Sequence, residues 1–516
     1  MKKLSSPPPS IHPSFIFDII AEQAQKTPNK VALEYQNKTQ TFSELDSLID
    51  KTAGYLYELG VRKGDRIAWL ATNIDLFWPF FFAASKIGAV IAPLNWRLAP
   101  AELSQIIDDM QSPTLFAEPD FLSPINDLAN ASCKTTIGIN QELYTLIFQN
   151  EKLSVKVVTK PDDVVLQLYT SGTTGVPKGV LLTHYCFQTV AHSQFSIGAI
   201  SSRFENEVTL HVLPHFHIAG VTLGLLAWKQ ALTLHQHRDF NVPAVLTQMT
   251  RGHPINMFLV PSMIEMLIEG AVNQNVSLGS VACISYGAAP MPQRLLHKAL
   301  KAMPNASFYQ FYGMTETTGG LSVLGAQDHK TGSAKLKSAG QPLPHCEVKI
   351  VCPNSEDELP VGQVGEIITR SEHIMTGYWN RQEATEQVIS HGFYKTGDAG
   401  FIDQDGYLFV VDRIKDMVIS GGENIYPAEL ENVLAKHDSV LECAFFGVPD
   451  KKWGEVLNGL VVTHPGETLS EGEVMDYLAT KVAKFKLPRR INFADTLPRN
   501  AAGKVSKHNL RKQFSG

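Results

Sequence analysis

The chain lacks what would tie it to an oxidising compartment, a membrane core or a nucleic acid. Its six cysteines, at positions 133, 186, 283, 346, 352 and 443, form no Cys-x-x-Cys pair, which argues against a zinc centre and a dense disulfide framework. Free thiols in a reducing cytoplasm are expected. Charged residues make up only 19% of the chain and the formal net charge is −6, so nothing recruits nucleic acid. Long hydrophobic runs are missing too. The most apolar stretch, Leu76 to Leu94, is broken by Pro79, Lys86, Gly88 and Pro93, which makes it a buried helix, a turn and a strand rather than a transmembrane segment. The opening Met1-Lys2-Lys3-Leu4-Ser5-Ser6-Pro7-Pro8-Pro9 has the charge of a signal peptide without its apolar core, and residues 1–13 read as a flexible tail.

What is present is a soluble α/β composition, 44% hydrophobic over 516 residues, too long for one core, so two or more domains are expected. Helical-period segments such as Ile16 to Gln25 and Phe42 to Leu59 alternate with short apolar runs such as Arg66 to Leu70 and Ala89 to Ala92. That alternation predicts a large N-terminal α/β domain, residues 14–412, of mixed parallel sheets layered with helices. Near residue 400 two strand-like runs flank Asp405-Gly406, a hairpin signal. The charged segment 413–416 then reads as a hinge, and residues 417–516 as a small, mobile α+β domain. From 481 to 516 there are ten Lys or Arg against one Asp, a basic face that is either merely solvated or suited to a nucleotide or pyrophosphate.

The richest segment is Tyr169-Thr170-Ser171-Gly172-Thr173-Thr174-Gly175-Val176-Pro177-Lys178-Gly179. Glycines let backbone N–H groups face an anion, hydroxyls add donors, and a lysine adds mobile charge. A Walker loop needs Gly-Lys-Ser/Thr entering a helix, but Lys178 follows Pro177 and leads into Val180-Leu181-Leu182. The setting is therefore strand, loop, strand.

Six further stretches follow in order: Pro214-His215-Phe216-His217, Tyr286-Gly287-Ala288-Ala289, Tyr312-Gly313-Met314-Thr315-Glu316, Tyr394-Lys395-Thr396-Gly397-Asp398, Asp412-Arg413 with Gly421-Gly422-Glu423, and Pro498-Arg499-Asn500-Ala501-Ala502-Gly503-Lys504. With the loop, this order resembles the adenylate-forming superfamily of acyl- and aryl-CoA synthetases, peptide-synthetase adenylation domains and firefly luciferase, over about residues 15 to 512. The resemblance implies an acyl-CoA synthetase-like fold and an acid–thiol ligase of two half-reactions. An acyl-adenylate and pyrophosphate form from ATP with Mg²⁺, and the acyl group then passes to the thiol of coenzyme A.

By the same resemblance, Thr170, Ser171, Gly172, Thr173, Thr174, Gly175 and Lys178 grip the phosphates. Thr315 touches the α-phosphate, and Glu316, with Thr174, holds Mg²⁺. Gly287, Ala288, Ala289, Tyr312, Gly313 and Met314 enclose adenine, while Asp398 and Arg413 serve the ribose. Lys504 and His217 join Thr315 and Glu316 as catalytic residues, and Lys415 marks the hinge. Ser193, His217, Phe258, Tyr286, Phe311, Gly313 and Gly319 form the acyl pocket, with Tyr286 expected to shorten it. Gly421, Gly422, Trp453, Phe485, Lys486 and Arg489 are assigned to coenzyme A, ordinary packing being the alternative for Trp453 and Phe485.

No lysine, arginine or aspartate occurs among the acyl-pocket positions, which favours a monocarboxylic apolar acid over an amino acid. A medium- to long-chain fatty acid is expected; an aryl or arylalkanoic acid, or a free-standing enzyme loading a carrier protein, are the alternatives. Expected partners are the acid, ATP and CoA, without nucleic acid; a peripheral membrane contact and a homodimer are compatible with the sequence, as is a cytoplasmic location.

Overall fold

The structure is a computed structural model that describes residues 15–126, 133–153, 157–170, 177–198, 206–289, 291–353, 355–420, 423–499 and 505–514; the expected tail at 1–13 lies outside them. By packing, the chain divides into two compact units, residues 1–347 with 370–392, and residues 348–369 with 393–516. The strands around residue 400 thus belong with the C-terminal segment, and the expected hinge at 413–416 falls inside the second unit.

The first unit is built on two sheets. One has nine strands, in the order Gln341–Pro342, Ser322–Leu324, Ser307–Tyr312, Val281–Gly287, Ile255–Leu259, Val208–His211, Thr233–Gln236, Val31–Tyr35 and Lys38–Thr41. Its six central strands, from Ser307–Tyr312 to Val31–Tyr35, are parallel. The other has seven, ordered Gly377–Tyr378, Lys178–Thr183, Val164–Thr170, Val90–Pro93, Arg66–Leu70, Thr114–Ala117 and Thr135–Gly138.

Two helices that are apolar on every side fill the space over these sheets. Phe77–Lys86, with Phe77, Trp78, Phe80, Phe81 and Phe82 all at 0% exposure, packs on the seven-stranded sheet, and Ile218–Lys229 packs on the nine-stranded one. A helix without a polar face has no solvent side. They meet where the Trp78 ring lies against Gly224, whose missing Cβ would come 2.3 Å from the ring. Among the described residues no helix is long and apolar enough to cross a membrane.

The second unit carries the expected hairpin, Phe393–Ile402 against Leu408–Arg413 with Phe401 opposite Phe409. A further sheet orders Glu423–Ile425, Val418–Ser420, Gly454–Thr463 and Val440–Asp450, with Arg490–Phe493 also on Gly454–Thr463. Helices Pro427–Leu434 and Glu471–Ala479 cover it around Val418, Leu430, Phe445, Val461 and Leu478.

Candidate active site

In the first unit the phosphate-type loop is flanked by antiparallel strands, with Thr170 directly across from Lys178, so the two described ends of the loop face each other. Ser171, Gly172, Thr173, Thr174 and Gly175 lie outside the described residues, as do Gly421, Gly422 and Lys504. Beside the hairpin runs the two-residue strand Gly377–Tyr378, pairing Tyr378 with Val180. Lys178 Nζ sits 4.9 Å from the centroid of the Tyr378 ring, and the Tyr378 hydroxyl donates to Glu316 Oε1 at 2.9 Å. Glu316 is 9% exposed and starts no helix longer than the 3-10 turn Thr315–Thr317. Tyr378 therefore links the loop lysine to the buried carboxylate, and no motif pointed to it.

The remaining candidate nucleotide residues of this unit sit at the carboxyl ends of parallel strands, where open α/β sheets bind ligands. Gly287 ends Val281–Gly287; a Cβ there would come 2.3 Å from the Phe311 carbonyl oxygen, so only glycine fits. Ala288 follows with φ +63°, a left-handed conformation that a non-glycine residue adopts at a cost, and Ala289 is exposed. Tyr312 ends the neighbouring strand and is half-buried. Gly313 is locked by backbone, a Cβ there lying 2.9 Å from Gly319 and Gly320. The Met314 N–H donates to Thr317 Oγ1 at 3.1 Å, which fixes the turn carrying Thr315 and Glu316.

Under helix Ile218–Lys229 lies a narrow cavity of about 20 Å³, lined by Gln194, Ala219, Thr222, Leu223, Leu226, Phe258, Ser285, Phe311 and Gly319, room for about one water. Three of the expected pocket residues, Phe258, Phe311 and Gly319, are in it. The others are placed differently. Ser193 is buried and its Oγ donates to the Pro344 carbonyl at 2.7 Å, while its neighbour Gln194 faces the cavity. His217 is exposed, at the N-cap of the helix, two residues ahead of the cavity wall.

Tyr286 does not shorten this cavity: successive strand residues point to opposite faces, Ser285 has the cavity face, and Tyr286 lies on the other, 0% exposed. There its hydroxyl bonds His329 Nε2 at 2.9 Å and Gln310 Oε1 at 3.2 Å, and burial pushes its phenol pKa above the ordinary range. The four helix residues missed from sequence, Ala219, Thr222, Leu223 and Leu226, recur at i, i+3, i+4 and i+7, a spacing that marks one helix face.

In the second unit Asp398 and Arg413 are register partners, with Arg413 Nε donating to Asp398 Oδ1 at 2.7 Å. Asp398 is 6% exposed, its N–H bonded to Thr396 Oγ1 at 3.0 Å. Lys415 is exposed on the turn Ile414–Asp416, and its carbonyl accepts from Arg511 at 3.0 Å. Trp453 and Phe485 are 44% and 48% exposed, which is not how core aromatics are placed. Arg489 is exposed, whereas Lys486 Nζ is held by Glu429 at 2.6 Å.

The AMP-binding enzyme family profile matches residues 20–379, and that of the AMP-binding enzyme C-terminal domain matches residues 429–504. The chain belongs to the AMP-binding enzyme family. Its fatty acid–[acyl-carrier-protein] ligase relative ScoC of Streptomyces coeruleorubidus is 33% identical, over 96% of this chain and 95% of that protein. Feruloyl-CoA synthase of an Amycolatopsis species is 35% identical, over 95% and 97%. Among solved structures, O-succinylbenzoate coenzyme A synthetase of Bacillus subtilis, in complex with ATP and a magnesium ion, superposes with a TM-score of 0.83 at 33% identity, over 96% of this chain and 99% of that one. This member of the adenylate-forming superfamily is an AMP-forming acid–thiol ligase.

Proposed function

We propose that the enzyme joins a monocarboxylic acid with an apolar body to the thiol of coenzyme A through an acyl-adenylate, using ATP and Mg²⁺. The observation that carries this is the cavity: its wall is apolar or neutral, with no lysine, arginine, aspartate or glutamate, and Gly319 and Phe311 in that wall adjoin the segment bearing Thr315 and Glu316. An ammonium or second carboxylate inside it would be left unpaired.

The residues fit the metal. Mg²⁺ is commonly held by one or two carboxylates and by substrate phosphates, and among the described residues no cluster of three metal-ligating side chains exists, while one buried carboxylate, Glu316, stands beside the loop hairpin. Mg²⁺ held there would supply positive charge against the phosphates of ATP. Glu316 would hold it, Tyr378 orients Glu316 through its hydroxyl, Lys178 brings a positive charge to the base of the loop, and Thr315 offers a hydroxyl donor. Asp398 would accept from the ribose, steadied by Arg413. The exposed rings of Trp453 and Phe485 support a soluble, adenine-bearing thiol as the acceptor.

The test is pyrophosphate release from ATP and Mg²⁺ with a panel of carboxylic acids, with and without CoA. CoA-dependent turnover to a thioester supports the proposal. Adenylate accumulating regardless of CoA would move the acceptor to a carrier protein, and release only with amino acids or dicarboxylates would overturn the acid class.

A further inference from the structure

Beneath the cavity the nine-stranded sheet is polar and unsatisfied. Asn256 stands two residues before Phe258 on the strand Ile255–Leu259, hence on the same face and about 7 Å deeper. It is 1% exposed, and neither its Oδ1 nor its Nδ2 has a hydrogen-bond partner. Its register partner on the next strand is Thr209, 0% exposed, with Oγ1 equally unpartnered. The neighbouring row toward the carboxyl end of the sheet contains Phe258 and Ser285, both in the cavity wall. Helix Ile218–Lys229, which supplies the rest of that wall, covers this face.

Buried amides without partners are rare. Although they are register partners, these two do not bond to each other. Together they offer an amide oxygen acceptor, an amide donor and one hydroxyl, all neutral, behind a lining without charged residues. An alkyl tail reaching that depth would leave all of them desolvated and unpaired. A hydroxyl or carbonyl oxygen would satisfy them, whereas a charged end would meet no counter-charge.

We propose that Asn256, with Thr209, selects the distal end of the acid, so that the enzyme prefers acids carrying a small neutral hydrogen-bonding group, a hydroxyl above all, at the end opposite the carboxylate. This rests on reading the cavity as the acyl site. A site built to bond a substrate hydroxyl rejects the analogue lacking it far more strongly than an apolar pocket rejects one methylene.

Two matched pairs test it: octanoate with 8-hydroxyoctanoate, and 3-phenylpropanoate with 3-(4-hydroxyphenyl)propanoate, compared by kcat/KM for CoA-dependent pyrophosphate release. In at least one pair the hydroxylated acid is expected to lead at least tenfold, and Asn256→Leu is expected to reverse that order. Thr209→Val, which keeps the side-chain volume, should shrink the ratio several-fold and serves if Asn256→Leu does not fold. A lead of less than tenfold for the hydroxylated acid in both pairs, or a variant that scales both members of a pair by the same factor, overturns the inference while leaving the proposed activity standing. No release from any of the four acids overturns the acid class itself, and this inference with it.

Discussion

At the scale of single residues, the position of one carboxylate oxygen decides whether a metal can be held where phosphate charge develops. Glu316 is buried, and a carboxylate out of water needs fixed donors. Tyr378 supplies one at 2.9 Å while its ring faces Lys178 Nζ at 4.9 Å. A hydrogen bond to a charged group is worth roughly 1.5–3 kcal/mol, and each ~1.4 kcal/mol of transition-state binding is about tenfold in rate. Tyr378→Phe, which keeps the ring over Lys178, is therefore expected to lower kcat/KM for adenylation about tenfold or more and to raise the Mg²⁺ concentration needed for half-maximal rate. Steady-state rates across a Mg²⁺ titration check it; an unchanged Mg²⁺ requirement would show that the hydroxyl does not orient the carboxylate. Nothing in the chain singled out Tyr378, because a two-residue strand has no period and a tyrosine between glycine and tryptophan carries no chemical signature. Glu316, Asp398 and Lys178 were legible because each sits in a short run of glycines and hydroxyls that packing does not ask for.

At the scale of elements, the same burial that makes the first unit's interior apolar traps several histidines in neutral form. Burial holds His184, His211 and His373 down at about 4 and His215 well below its ordinary 6.5. The geometry agrees for His184, whose Nδ1 accepts the Ile16 N–H at 3.1 Å and so is unprotonated, while His211 Nε2 bonds the Gly220 carbonyl at 2.8 Å. His215 lies face to face with Phe77, centroids 4.0 Å apart. A depressed histidine pKa means that the unfolded chain binds the extra protons, so stability is full above about pH 6.5 and falls as pH drops toward 4. The slope is up to about 1.4 kcal/mol per pH unit for each such group. The thermal midpoint of the whole chain is expected to fall steadily from pH 6.5 to 4.5 and to be nearly level from 6.5 to 7.5. A midpoint that stays level down to pH 5 would show that these rings protonate without opening the core.

Periodicity made most elements readable: the helix at Phe42–Glu58, the strand Arg66–Leu70 and the hairpin near 400 stand where the sequence put them. It could not say which face of Val281–Gly287 meets the cavity. All seven residues of that strand are buried, so no polar side marks a face, and it is Ser285 rather than Tyr286 that lines the cavity.

At the scale of the whole molecule, division by packing and division by motif need not coincide. The hairpin bearing Asp398 and Arg413 packs within the second unit, while Lys178, Thr315, Glu316 and the cavity belong to the first. Residues named by the family resemblance for one activity are thus spread over two compact bodies, each with its own core. A two-step ligase has two transition states with different demands. Adenylation brings two anions together and needs cations beside both; thioester formation starts from a neutral acyl carbonyl and a thiol, and the phosphate charge it releases is only that of AMP.

A lysine required for charge neutralisation in the first step is then dispensable in the second. Lys504 lies outside the described residues, but the resemblance gives it that first role alone. Lys504→Ala is expected to cut pyrophosphate release from ATP and acid at least a hundredfold, yet to leave thioester formation from supplied acyl-adenylate and CoA within about threefold of the native rate. Single-turnover measurement of each half-reaction decides it. Equal loss in both would mean that one fixed set of groups serves both steps, and that the second unit does not exchange residues between them.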